Sequence, residues 1–320
     1  MIVTSSLNRL VEKHGVHRVA VACGVFDGVH RGHQAIIRNL VALARSTDAL
    51  PGLMTFDPHP RAVVQGNAPP LLTGRDHQLS IFEELGIEVA VIIPFTREIA
   101  ELSADEFLDL ELLVDGIDLT GICVGSSWRF GAGGKGTTAT LEHWGRHHGF
   151  HVVSVPELDW YGRLISSTRI RKAICEGNLR KAEKMLGRPY AVRGRVVHGR
   201  GIGHARLECP TANLVTTEVL LPPCGVYAAE IVLEPEEPAA AETREYNGIV
   251  YIGTAPSFET PHDEPVLECH LFDFHRDIYG SRVEARFREF IRGDERFESV
   301  DMLSAQIERD IEAAKTVLGS

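Results

Sequence analysis

An α/β doubly wound parallel sheet, followed by a small antiparallel β-barrel with a C-terminal helix, is the fold class this sequence predicts. Three observations carry it. The chain of 320 residues is longer than one hydrophobic core ordinarily organises, so two domains are expected. Apolar runs alternate with helical patterns through the first half, whereas the second half shows separate β-rich runs with no helix between them. Between the halves, Gly187-Arg188-Pro189 ends a helical segment with a terminal glycine and a proline that cannot continue it. The predicted domains are therefore 1–186 and 187–320.

Val19 to Cys23, Leu53 to Phe56, Val89 to Ile93, Gly121 to Val124 and His151 to Val155 read as buried strands. Gln34 to Arg45, Gly74 to Leu85, Ser103 to Leu113 and Ala139 to His148 read as helices, with apolar residues at three-to-four spacing. Such alternation implies parallel strands joined by right-handed crossovers. Ligands of such sheets bind beyond the carboxyl ends of the strands, where Gly24 to His33 follows the first of them. Ser166 to Leu186 reads as helical, broken near Glu176-Gly177-Asn178. The barrel strands are Tyr190 to His198, Gly225 to Leu233, Asn247 to Gly253, Val266 to Phe272 and Arg282 to Phe290. Glu234 to Glu245, rich in Pro, Ala and Glu, reads as a mobile acidic hairpin loop. A terminal helix capped by Ser299 carries Met302, Leu303, Ile307, Ile311 and Val317 on the stripe expected to face the barrel.

Composition narrows the function. With 44% apolar and 24% charged residues the chain is that of an ordinary globular protein, and no apolar run approaches the roughly 20 residues that span a bilayer. Met1 to Gly15 lacks the charged-then-apolar order of a secretory signal, so no membrane role and a cytoplasmic location are expected. Six singly placed cysteines, with no C-x-x-C pair, are expected to be free and mostly buried. A net charge of −11 disfavours nucleic-acid binding, and a small anionic ligand held by a local cluster of positive groups fits better. Nothing in the sequence bears on oligomeric state.

The first chemical centre is Gly24-Val25-Phe26-Asp27-Gly28-Val29-His30-Arg31-Gly32-His33. Glycines there, Gly24, Gly28 and Gly32, let backbone approach a phosphate, and a helix start offers its amides. His30 and His33, three residues apart, fall on one side of that helix start and can both donate to a triphosphate. The alternative is two unrelated surface histidines. Asp27 either orients the loop or a magnesium-bound water, or satisfies its own turn backbone.

The run G-x-F-D-G-x-H-x-G-H resembles the signature of the bifunctional bacterial FAD synthetases, which join an FMN adenylyltransferase domain to a riboflavin kinase domain. Thr55-Phe56-Asp57-Pro58-His59-Pro60, Leu71-Leu72-Thr73 with Leu85-Gly86-Ile87, Ile165-Ser166-Ser167-Thr168-Arg169-Ile170-Arg171 and Leu186-Gly187-Arg188-Pro189-Tyr190 resemble further family segments in the expected order. The resemblance implies ATP, FMN and riboflavin as substrates and Mg2+ as cofactor. It implies phosphate-binding roles for Gly24, Phe26, Asp27, Gly28, Gly32, Ser166, Ser167, Thr168 and Arg171, and a flavin-binding role for Asp57, Ser127, Arg129 and Phe130. Adenylyl transfer needs aligned reactants and stabilised charge rather than a nucleophilic side chain. His30 and His33 would serve the reacting phosphates, and Arg169 or Arg171, with planar forks, the departing pyrophosphate. Ser127 departs from the family, which usually has Asp or Asn there.

In the second half, Pro210-Thr211-Ala212-Asn213 resembles the kinase motif P-T-A-N, implying Thr211 and Asn213 as oxygen ligands of magnesium. Glu268 falls at the family's general-base position, where a carboxylate accepts the proton of the ribityl hydroxyl; a solvent-facing strand position is the alternative. Glu208 replaces a glycine of the family's flap, and Ala255 stands where Arg or another polar residue is usual. The leading reading is riboflavin phosphorylation by the barrel and FMN adenylylation by the α/β domain. A second reduces the barrel to a flavin-binding or regulatory module, and a third changes the nucleotide or the acceptor.

Overall fold

The computed structural model describes residues 1–197, 212–216, 219–234, 244–253, 266–274 and 276–319. The chain divides into two compact units, Met1–Pro70 with Arg75–Ser166, and Leu71–Gly74 with Ser167–Ser320.

The first unit runs β1 (Ile2–Thr4), α1 (Leu7–His14), β2 (Arg18–Cys23), α2 (Arg31–Ser46), β3 (Leu50–Asp57), α3 (Pro60–Gln65), α4 (Arg75–Glu84), β4 (Val89–Pro94), α5 (Arg97–Glu101), α6 (Ala104–Phe107), β5 (Asp118–Gly125), α7 (Thr138–His148) and β6 (His151–Val155). Its six strands are all parallel, in the order β1-β4-β3-β2-β5-β6. Strand β2 is buried on both faces, hence its unbroken apolar run. Val19, Val21 and Cys23 join one core with Leu7, Phe107 and Leu141, while Ala20 and Ala22 join the other with Ile37, Leu40 and Phe82. Fully buried Ile37 and Leu40 each contribute about 1.5–3 kcal/mol of apolar transfer, which pins α2 against the sheet. Because the chain turns from β2 toward β3 on one side and returns to β5 on the other, the carboxyl end of β2 is the switch point of the sheet, the place where ligands of such sheets bind.

The second unit contains α8 (Ser167–Cys175), α9 (Leu179–Leu186), β7 (Tyr190–Val197), β8 (Ala212–Val215), β9 (Gly225–Leu233), β10 (Arg244–Gly253), β11 (Val266–Leu271), β12 (Arg282–Arg292) and α10 (Val300–Leu318). Its strands close an antiparallel barrel in the order β10-β11-β8-β7-β12-β9. Leu71 bridges Val219 of this unit. Ion pairs tie α9 to the barrel, Arg180 to Glu289 at 2.7 Å and Arg288 to Glu183 at 3.5 Å. The terminal helix is fixed by a buried fork: Arg292 Nε donates to both oxygens of Asp310, at 3.0 and 2.9 Å, and Gln306 Nε2 adds a third bond at 2.8 Å.

Several expectations are corrected. The barrel has six strands rather than five, because Ala212–Val215 pairs with both β7 and β11. A first-unit edge strand, β1, pairs with β4. The predicted helix Ser103 to Leu113 passes from α6 into a π-helical turn, Leu108–Leu112. Arg244 and Glu245 already belong to β10, and residues 235–243 of the expected acidic loop lie outside the described residues. On α10, Met302 and Val317 are exposed, while Asp310 and Ala314 turn inward beside Ile311. Helix α10 does begin at a Ser299 cap, whose hydroxyl accepts from Met302 N at 3.3 Å.

Candidate active sites in the two units

The histidine loop leaves β2 through an uncommon backbone. Phe26, Gly28 and Val29 all lie in the left-handed region, with φ of 54°, 81° and 38°. For Phe and β-branched Val such a conformation costs on the order of 1–3 kcal/mol each, so surrounding contacts must hold it. The loop is nonetheless buried: Phe26, Asp27, Val29 and His30 are all within 6% of full burial. Gly24 and Gly32 sit tightly, since a Cβ at Gly24 would meet the Phe26 ring at 3.1 Å and one at Gly32 the His30 ring at 3.1 Å, so either ring would have to give by a few tenths of an ångström.

His30 is the N-cap of α2, and its Nδ1 accepts from His33 N at 3.4 Å. A neutral His30 therefore carries its proton on Nε2, as a donor. The rings of His30 and His33 stack at 3.6 Å with a 19° interplanar angle, and the Phe26 ring meets His33 edge-on at 5.2 Å. These are not two unrelated surface histidines. They form one aromatic unit at a helix N-terminus, where anions are favoured.

Asp57 ends β3 and is exposed; Arg75 Nη2 stands 3.7 Å from its carboxylate. Beyond β5, Ser127 and Arg129 face outward whereas Phe130 is buried against Phe107 and stacked on Trp128 at 4.7 Å. Ser127 Oγ donates to Glu157 Oε1 at 2.6 Å. Thus Asp57, the histidine loop and Ser127 sit at the carboxyl ends of three adjacent strands, β3, β2 and β5. In the second unit, Ser167, Thr168, Arg169 and Arg171 lie in the first turns of α8, directly after Ser166. Thr168 is exposed and the others are half-buried.

The second centre is on the barrel's outer face. Glu268 of β11 stands directly across from Asn213 of β8 on one side and Tyr251 of β10 on the other. Alternation makes Leu267, Cys269 and Leu271 buried while Glu268 stays half-buried on the opposite face. Burial pushes the Glu268 carboxyl above its usual range. Burial first, then the hydrogen bond from the Tyr251 hydroxyl to Asp294 Oδ1 at 3.0 Å, pushes the Tyr251 phenol up to about 12. Thr211, Glu208 and Ala255 lie outside the described residues.

Sequence reasoning missed Gln78, Arg75, Glu157 and Tyr251. A buried polar residue in a helix with no motif around it, such as Gln78, gives no local signal. Tyr251 was readable only as one more strand aromatic. Among the described residues there is no group of three His, Cys, Asp or Glu side chains that could hold a metal. No helix among them is long and apolar enough to cross a membrane. Cys23, Cys123 and Cys269 are free and buried, Cys175 and Cys224 free and exposed.

A parallel sheet carrying a histidine-capped helix at its switch point, followed by a closed barrel with a carboxylate–amide pair on its outer face, defines a nucleotidyltransferase joined to a kinase-type barrel. Residues 12–169 match the FAD synthetase family and residues 186–318 the riboflavin kinase family. The chain is 35% identical over 314 residues to the bifunctional riboflavin kinase/FMN adenylyltransferase of Escherichia coli K12, covering 95% of this chain and 97% of that protein. Its identity to the Bacillus subtilis enzyme of the same description is 33% over 300 residues, 92% of this chain and 90% of that one. A solved Streptococcus pneumoniae chain, described as a macrolide-efflux protein, superposes with a TM-score of 0.79 at 30% identity, covering 93% and 94% of the two chains. The chain belongs to the bifunctional riboflavin kinase/FMN adenylyltransferase family.

Proposed function

We propose that this protein converts riboflavin to FMN with ATP in its barrel and FMN to FAD with a second ATP in its α/β domain, with 1–186 and 187–320 as the two functional halves. The single observation that carries the reading is the co-occurrence of both family matches in one chain, each over a unit with the corresponding constellation.

In the α/β half, a phosphate oxygen of FMN attacks the α-phosphorus of ATP, the bond to the β-phosphate breaks, and pyrophosphate departs. His30 and His33 donate to the charge that spreads over the reacting phosphates, while α2 contributes its positive end. On the sequence resemblance, Arg169 and Arg171 hold the pyrophosphate as paired donors, and Ser166, Ser167 and Thr168 add hydroxyl and amide donors. Asp57, Ser127 and Arg129 orient the flavin; Phe130 supports that loop from below.

In the barrel, the ribityl hydroxyl attacks the γ-phosphorus of ATP, its proton passes to Glu268, and ADP departs. A carboxylate raised by burial suits a base that must be ionised at neutral pH yet take a proton readily. Magnesium, when bound, neutralises phosphate charge. The amide oxygen of Asn213, beside the Glu268 carboxylate in register, is a hard donor of the kind magnesium accepts, and we assign it that role together with Thr211. The substrates are small molecules, and a cytoplasmic setting fits an enzyme fed by ATP. Incubating FMN with ATP labelled at the α-phosphate tests the first half: label must appear in FAD.

A further inference from the structure

We infer that Gln78 is a positioning residue for adenylyl transfer, holding the histidine loop in the shape that aims His30 and His33. The inference rests on the transferase reading of the first unit. Glycines at 24, 28 and 32 give that loop freedom, but freedom does not fix a conformation, and Phe26 at φ 54° needs an external clamp.

Gln78 supplies one from α4. Only 4% exposed, it donates through Nε2 to two consecutive carbonyls, Val25 O at 3.2 Å and Phe26 O at 3.1 Å. Consecutive carbonyls of an extended chain point to opposite sides, so one amide reaches both only while Phe26 is turned. Thr55 Oγ1 adds a bond to Val25 O at 3.1 Å.

The amide itself is held from behind. Its Oε1 accepts from Arg75 Nη1 at 2.7 Å, and Arg75 Nη2 donates to Phe56 O at 3.0 Å at the end of β3. Arg75 can only donate, so the Gln78 oxygen must face it and the NH2 must face the loop. From Phe26 the order passes on through ring contacts: Phe26 meets His33 at 5.2 Å, and His33 stacks on His30 at 3.6 Å. Arg75, Gln78, Phe26, His33 and His30 thus form one continuous train, and neither Gln78 nor Arg75 needs to touch substrate.

The test uses the full chain, which carries its own control in the barrel. Gln78→Met keeps the length and removes both donors. The Met variant should lose at least about tenfold in kcat for FAD formation, as displaced reacting groups do. Its KM values for ATP and FMN should stay within about threefold, as expected when only transition-state alignment is lost, with riboflavin phosphorylation unchanged. Full FAD turnover in the Met variant, or a loss carried by KM rather than kcat, overturns the inference and reduces Gln78 to core packing. Should the Met variant fail to fold by circular dichroism, Gln78→Glu is measured instead: its carboxylate keeps Arg75 and repels both carbonyls, and a full rate there overturns the inference equally. Absence of FAD formation by the wild-type chain would instead defeat the transferase reading.

Discussion

Asn213 and Glu268 are direct cross-strand partners, β8 against β11, so that an amide and a carboxylate project side by side from the outer face of the barrel. Two antiparallel strands fix this pairing, because a slip of one residue would turn Glu268 inward among Leu267, Cys269 and Leu271. The pairing ties the site to the register of the barrel.

Removing the carboxylate should separate catalysis from stability. Glu268→Gln should abolish riboflavin phosphorylation and leave riboflavin binding within about threefold, as expected for loss of a proton acceptor alone. Wild-type phosphorylation should fall as pH drops through a value above the ordinary carboxylate range, since burial raises this group and only its ionised form accepts the proton. The stability effect has the opposite sense. A carboxyl with a raised folded value contributes stability that is fully present below its ordinary value and lost as pH rises through the raised one. Glu268→Gln should therefore melt higher than wild type at pH 8 and show a smaller advantage at pH 4.

At the other centre, the cap and the imidazole of His30 can be told apart. Because its side chain caps α2, His30→Ala should cost about 1 kcal/mol in unfolding as well as two or more orders of magnitude in FAD formation. His30→Asn restores a cap without restoring the ring, so its stability should return while its FAD-forming rate stays low. His33→Ala should match that rate loss with little change in ATP affinity. Stopped-flow FAD formation and thermal melts check both.

Glu157 completes the outer rim beyond β5. Through its 2.6 Å bond with Ser127 it places a carboxylate against the serine hydroxyl that follows the carboxyl end of β5. Ser127→Ala and Glu157→Ala should each raise the KM for FMN or ATP severalfold and hold kcat within about threefold, the pattern of lost uniform binding. A kcat loss with unchanged KM would contradict that assignment.

The seat of α10 depends on one buried fork. Asp310 is 2% and Arg292 16% exposed at their side chains, so Asp310→Ala leaves an uncompensated cation and should destabilise the barrel by about 3–5 kcal/mol in urea unfolding. Replacing both partners by Leu should cost markedly less than the single change.

Much of this was legible in the sequence because it rests on local pattern. Both faces of β2 are apolar, so Val19 to Cys23 reads as a central strand without tertiary knowledge, and Ser299 announces α10 by its spacing. The residues that escaped reading depend on approach in space. Strand β8 is four residues long and carries polar Asn213, too short a run to show alternation. The left-handed turn at Phe26 is invisible because nothing but glycine advertises that conformation. Gln78 and Asp310 carry no local signal of burial, which comes only from the packing of α4 and α10. Exposed Met302 shows the reverse error, an apolar residue one step off the buried stripe.

Two successive transfers by one chain are followed by mixing the purified protein with riboflavin and excess ATP and magnesium and separating the flavins by chromatography. FMN should appear first and FAD after it, with His33→Ala stopping at FMN and Glu268→Gln making FAD only when supplied with FMN. Failure of the wild-type chain to form FMN from riboflavin, or FAD from FMN, would rule out one of the two transfers.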